Sequence, residues 1–150
     1  MWCWAATAAS VLFYFEGTAA PAQCTLASGY VTVPYCPPPP LSDTGWLGNQ
    51  TYSLAKVLSD MGYLMGDVVA GPLDFDTIVQ DIKDELPVCV HIDLPPSDGH
   101  FLAITGYDPD AREVFVCDPE GKCNGLYPYD TLGEAAGGTW DETYRTQKSS

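Results

Sequence analysis

The hydrophobic period changes once along this chain, between Leu86 and Val88. Ahead of it, "TYSLAKVLSDMGY" places Leu54, Val57, Leu58 and Met61 at helical spacing, and "LDFDTIVQDIKDEL" does the same with Phe75, Ile78, Val79, Ile82 and Leu86. Asp74 or Asp76 supplies a cap for the second of these helices. Beyond it, "VCVHIDL" alternates and is rich in β-branched residues, so it reads as a strand. "HFLAITGY" and "EVFVCD" are two more, joined across "DPDA", which has the composition of a turn. "YPYDTL" and "TWDETYR" carry weaker strand or turn signals. Helices first and hairpin-linked strands afterwards predict an α+β fold with an antiparallel sheet. No repeat and no linker divides residues 1–150, which read as one domain long enough to bury its own core.

The amino-terminal stretch "MWCWAATAAS" opens an apolar run that continues to Glu16. Two readings compete for it: a secretory signal, or a buried helix with a thiol, Cys3, in its first turn. "GTAAPAQ" would supply small residues for signal cleavage. A signal also needs a basic leading region, whereas the first Lys or Arg is Lys56. The helix reading is favoured, over residues 3–16 and ended by Gly17, apolar on nearly every face and therefore buried. A short second helix is expected from Pro21 to Ser28. The stretch from Gly29 to Gly48 is loop-like, with "CPPPPLSD" as a stiff surface brace.

Charge narrows the partners. Six Lys and Arg against 20 Asp and Glu give a net charge of −14, which repels phosphate backbones and anionic lipid. Nucleic acid and membrane are excluded as partners, and no apolar run reaches the roughly 18 residues of a membrane span. There is no HExxH, GxSxG or phosphate-cradling glycine motif, and no paired C-x-x-C spacing for zinc, so neither cofactor nor metal is called for. Of six cysteines, Cys24 with Cys36 and Cys117 with Cys123 each close a short loop and suit disulfides in an oxidising compartment, while Cys89 reads as a buried thiol.

The hairpin carries the chemistry. With Tyr107 and Ala111 flanking its turn, Leu102 faces Val116, Ile104 faces Val114, and His100 falls opposite Asp118 on the same face. A slip of one residue would put Asp118 on the other face. An imidazole oriented by a carboxylate is half of a nucleophilic site. Cys3 is the candidate for the other half, because a helix amino terminus and a neighbouring imidazolium both stabilise a thiolate.

These residues resemble a family. "CWAATAASVL", "GHFLAITGYD" and "VFVCDPEG" are similar, in order, to the three signature blocks of compact bacterial papain-like cysteine peptidases. The likeness is to secreted effector proteases and, more loosely, to the domains that trim double-glycine leaders from bacteriocins. "AQCTLASGY" also resembles a second-helix block of the effector group. The resemblance implies a papain-like fold, with Cys3 as nucleophile, His100 as general base and then acid, and Asp118 as the orienting group. It implies a peptide or protein substrate, a monomer, and a chain that is secreted or delivered to a target cell, a cytoplasmic place also being compatible.

One departure bears on activity. The family carries a glutamine several residues before the cysteine, which helps to hold the oxyanion, and only Met1 and Trp2 precede Cys3. Loss of one oxyanion donor costs roughly 10²–10³ in turnover. The expectation is a truncated start with the glutamine upstream; nothing in the sequence argues that Gln23 or Gln50 moves into its place, and without it the chain is expected to be a weak protease rather than a dead one. The alternative function is a weakened or inactive papain-like domain that binds peptides without cutting them. Among the remaining residues, His91 reads as a structural histidine, and Asn124 as a less favoured rival to Asp118. Trp2 and Trp4 read as walls of the site, and Trp46 and Trp140 as cleft or core. Asn49 opens a glycosylation sequon.

Overall fold

A computed structural model describes residues 2–33, 36, 50–121 and 124–149. The brace at 37–43, Trp46, Asn49 and Cys123 therefore lie outside the described residues. The fold is α+β. Helix α1 spans Cys3–Glu16 and stops at Gly17, whose φ of 63° favours glycine. α2 (Gln23–Ser28) follows, tied by a disulfide from Cys24 to Cys36. Helix α3 (Leu54–Asp60) is capped by the Ser53 side chain, and α4 (Phe75–Lys83) by that of Asp74, each accepting from a first-turn N–H. Between these helices lies a two-residue strand, β1 (Val69–Ala70).

The remaining strands are β2 (Val88–Leu94), β3 (Asp98–Asp108), β4 (Glu113–Cys117), β5 (Gly125–Pro128) and β6 (Thr139–Arg145), with a short helix α5 (Leu132–Ala135) before the last. All pair antiparallel in one sheet, in the order β1-β6-β2-β3-β4-β5. Two apolar clusters form on it. One joins Trp4, Ala8, Val11 and Leu12 of α1 to α2, α3, Cys89 and Tyr144. The other joins Phe75 and Ile78 of α4 to Val90, Ile92, Leu102, Ile104, Val114 and Val116. Residues of β2 alternate between the clusters, so helices cover both faces.

Two expectations are corrected. Helix α1 is not buried all round: Phe13 and Tyr14 are 61% and 51% exposed, because the sheet and its partner helices cover only one side. The register of the hairpin also differs. Asp108 pairs with Glu113 across a four-residue loop, in which the Asp108 carboxylate accepts from the N–H groups of Asp110 and Ala111. Arg112 there takes a positive φ of 54°. A bulge at Thr105 then returns one residue, so Ile104 pairs with Val116 rather than Val114. The net slip from the expected register at the open end is two, an even number. His100 and Asp118 therefore stay on one face, as diagonal neighbours instead of directly opposite.

Candidate active site

Helix α1 begins at Cys3 itself. The first N–H groups of a helix have no intrahelical acceptor, and here no side chain caps them and no carboxylate occupies the first turn. That helix end therefore keeps its partial positive charge uncompensated by any first-turn side chain. Cys3 is half-buried, and α1 packs against β3, which brings the thiol beside His100, close enough to act on its imidazole.

His100 Nε2 lies 2.5 Å from Asp118 Oδ1. The two side chains are only 11% and 1% exposed, so little water competes for either. With Nε2 engaged by the carboxylate, Nδ1 is the ring nitrogen left for the thiol. The adjacent Cys3 thiol, and after it the hydrogen bond and negative charge of Asp118, raise the imidazole's pKa to about 9 despite the opposing effect of burial.

Asp118 stands one residue beyond β4, yet it is held at several points. Its N–H donates to Asn124 Oδ1 at 2.7 Å, its carbonyl accepts from Gly121, and its Oδ1 also accepts from the N–H of Glu120 at 2.9 Å. Asn124, weighed from sequence as a rival orienting group, is thus turned toward the Asp118 backbone. A cavity of about 220 Å³ adjoins His100 and Asp118, walled by Leu94, Gly99 and Ala136 with Asp98 and Glu120.

Trp4 is buried against Tyr30 and Tyr52, and its indole donates to the Gln50 carbonyl at 2.8 Å. Gln23 lies on α2 beside a groove that Ala6, Ala9 and Pro119 also line. Trp140 is core, 5% exposed, with its indole bonded to Thr143. Cys89 is a buried thiol whose pKa burial pushes up to about 12. Cys117 is an exposed free thiol, and the partner considered for it, Cys123, lies outside the described residues. His91 Nδ1 bonds Asp141 Oδ1 at 2.7 Å, and its ring meets that of Phe101. Asp141 is the extra residue of a bulge between β2 and β6, a feature that no local pattern in the sequence announced. Among the described residues, no group of three or more His, Cys, Asp or Glu is placed to hold a metal ion.

A family model described as the Peptidase_C39 like family matches residues 1–148. The chain belongs to the Peptidase_C39 like family. Membership makes it a cysteine peptidase in the general sense, of the compact papain-like kind that its three sequence blocks resemble. A crystal structure of a Bacillus anthracis protein described as a C39-like peptidase shares the fold, with a TM-score of 0.57 and 14% sequence identity. The likeness covers 99% of this chain and 90% of that one. No curated protein matches the chain.

Proposed function

We propose that the protein hydrolyses peptide bonds by covalent catalysis at Cys3. His100 Nδ1 takes the Sγ proton, and the thiolate attacks the carbonyl carbon of the substrate. The first-turn N–H of Cys3 donates to the oxygen that becomes negative. As the tetrahedral species collapses, the C–N bond breaks and His100 gives its proton to the departing amine. Water then attacks the thioester, passing a proton to His100, and the C–S bond breaks to restore the thiol. Asp118 keeps the Nε2–H directed at itself, so that Nδ1 always faces the sulfur. The observation that supports this reading most is a single one: one imidazole lies between a helix-start cysteine and a buried carboxylate.

Cys117 provides an internal control, because it is an exposed free thiol whose sulfur lies 3.5 Å from the Thr105 hydroxyl. At about pH 6, where ordinary thiols are scarcely ionised, iodoacetamide is expected to modify Cys3 faster than Cys117. His100→Ala removes that advantage, and Cys3→Ala abolishes cleavage of a quenched-fluorescence peptide library. Equal labelling of the two thiols in the wild-type protein would rule out the reading. Peptide binding with unaltered affinity in Cys3→Ala, without any cleavage by wild type, would instead assign a binding domain.

A further inference from the structure

Asp118 follows the end of β4 and Asn124 precedes β5, and three polar contacts from the described residues between them meet at Asp118. The ladder between those strands stops at Val116 with Gly125, so Asp118 lies beyond its last pair. A buried N–H without a partner is costly, and here the partner is a side chain. Asn124 Oδ1 accepts it at 2.7 Å. The assignment of oxygen rather than nitrogen follows from the chemistry, since an N–H needs an acceptor. The Gly121 N–H donates to the Asp118 carbonyl and the Glu120 N–H to Oδ1, the oxygen that also meets His100.

We propose that Asn124 is a positioning residue for the peptidase site, holding the Asp118 main chain so that the carboxylate stays on His100 Nε2. This rests on the catalytic reading of Cys3, His100 and Asp118 given above. Asn124 reaches the site through the Asp118 main chain. If the N–H of Asp118 is released, the backbone can rotate and swing Oδ1 away from Nε2. The imidazole is then free to turn, and Nδ1 no longer faces Sγ in every molecule. Misplacement of a reacting group by about 1 Å is enough to cost up to 10²-fold. What the role requires is an acceptor of the right length, not an amide.

The test uses the whole chain and begins with the labelling advantage of Cys3 over Cys117, which needs no substrate. Asn124→Ala is expected to lower that advantage and to reduce kcat by about 10- to 100-fold with KM unchanged. Asn124→Asp, which keeps an oxygen of the same reach, is expected to retain activity within about threefold, as conservative rescue requires. In an Asp118→Ala background, adding Asn124→Ala is expected to cost nothing more, because the carboxylate whose position it holds is already gone. Denaturant unfolding of each variant separates loss of positioning from loss of fold.

Full activity in Asn124→Ala, or an equal loss in both backgrounds, would overturn the inference while leaving the site intact. Absence of any Cys3 labelling advantage in wild type would instead defeat the catalytic reading beneath it. A retained advantage with an altered KM alone would make Asn124 a substrate contact, which also overturns the positioning role.

Discussion

The imidazole of His91 lies against the bare Cα of Gly99, the residue just ahead of His100. A Cβ at Gly99 would overlap His91 Nε2 and stand 2.8 Å from Cε1. The ring cannot easily retreat, because Asp141 holds Nδ1 and Phe101 packs beside it. The Gly99 backbone is otherwise ordinary, so it is space and not conformation that demands glycine. Gly99→Ala is therefore expected to displace the start of β3 and lower peptidase turnover about tenfold or more. Adding His91→Ala should make room for the new methyl group and recover much of that loss. Steady-state kinetics of the two single variants and the double would check it, and additive losses would refute it.

The glycine-histidine pair was visible in the sequence, but its cause was not. His91 and Gly99 are cross-strand diagonal neighbours, and Asp141 reaches His91 only because a bulge adds it to β6. Bulges also explain the hairpin. Alternation of Leu102, Ile104, Val114 and Val116 identified the buried face, and hence the shared face of His100 and Asp118, because side-chain period is two. It could not identify the register, since slips of two leave the same face inside. The turn and the Thr105 bulge depend on Asp108 and Arg112 backbone geometry, which composition suggests without placing. Cys3 was legible as a helix start because Gly17 and an unbroken apolar run framed the helix. Asn124 was legible only as a candidate, since loop hydrogen bonds have no period.

Thr7 offers a test of packing one turn from Cys3. It is 2% exposed on the buried side of α1, and its Oγ1 has no hydrogen-bond partner. A buried hydroxyl without a partner gives up hydration and receives nothing back, at a cost of about 1–3 kcal/mol. Valine has nearly the same shape and suits the same rotamer. Thr7→Val is expected to stabilise the protein by about 1 kcal/mol, read as a midpoint rise of about 2–4 °C in thermal unfolding. A lower midpoint would show that the hydroxyl makes an interaction that the fold needs.

Stability is also expected to depend on pH through His100. The folded imidazole has a pKa of about 9, raised by the adjacent Cys3 thiol and by Asp118. An unfolded histidine titrates near about 6.5. Between these values the folded state holds a proton that the unfolded state releases, so folding is favoured by the difference. That contribution is complete below about pH 6.5, shrinks above it, and is gone once pH has risen through about 9. Urea midpoints measured across this range should fall for wild type and show less of that fall in His100→Gln. The same titration predicts an alkaline limb near pH 9 in kcat/KM, where the general acid loses its proton. Parallel stability profiles in the two proteins would contradict the assignment.

Asp81 sits on the inner side of α4, only 3% exposed, and is paired with Arg145 at the end of β6. The guanidinium donates twice, from Nε at 2.8 Å and from Nη2 at 2.7 Å, one bond to each carboxylate oxygen. The pair therefore ties the helix on one face of the sheet to the strand beside β2. Removing the cation leaves a buried carboxylate uncompensated, for which losses of about 3–5 kcal/mol are usual. Arg145 is 30% exposed, so water can partly replace it, and Arg145→Met is expected at the lower end of that range. Arg145→Lys keeps the charge but not the paired geometry, and should fall between. Replacing both partners, as Asp81→Leu with Arg145→Met, removes the stranded charge and should recover most of the loss. Chemical denaturation of the four proteins measures this directly. If Arg145→Met unfolds no more readily than wild type, the ion pair contributes nothing and α4 is held by Phe75 and Ile78 alone.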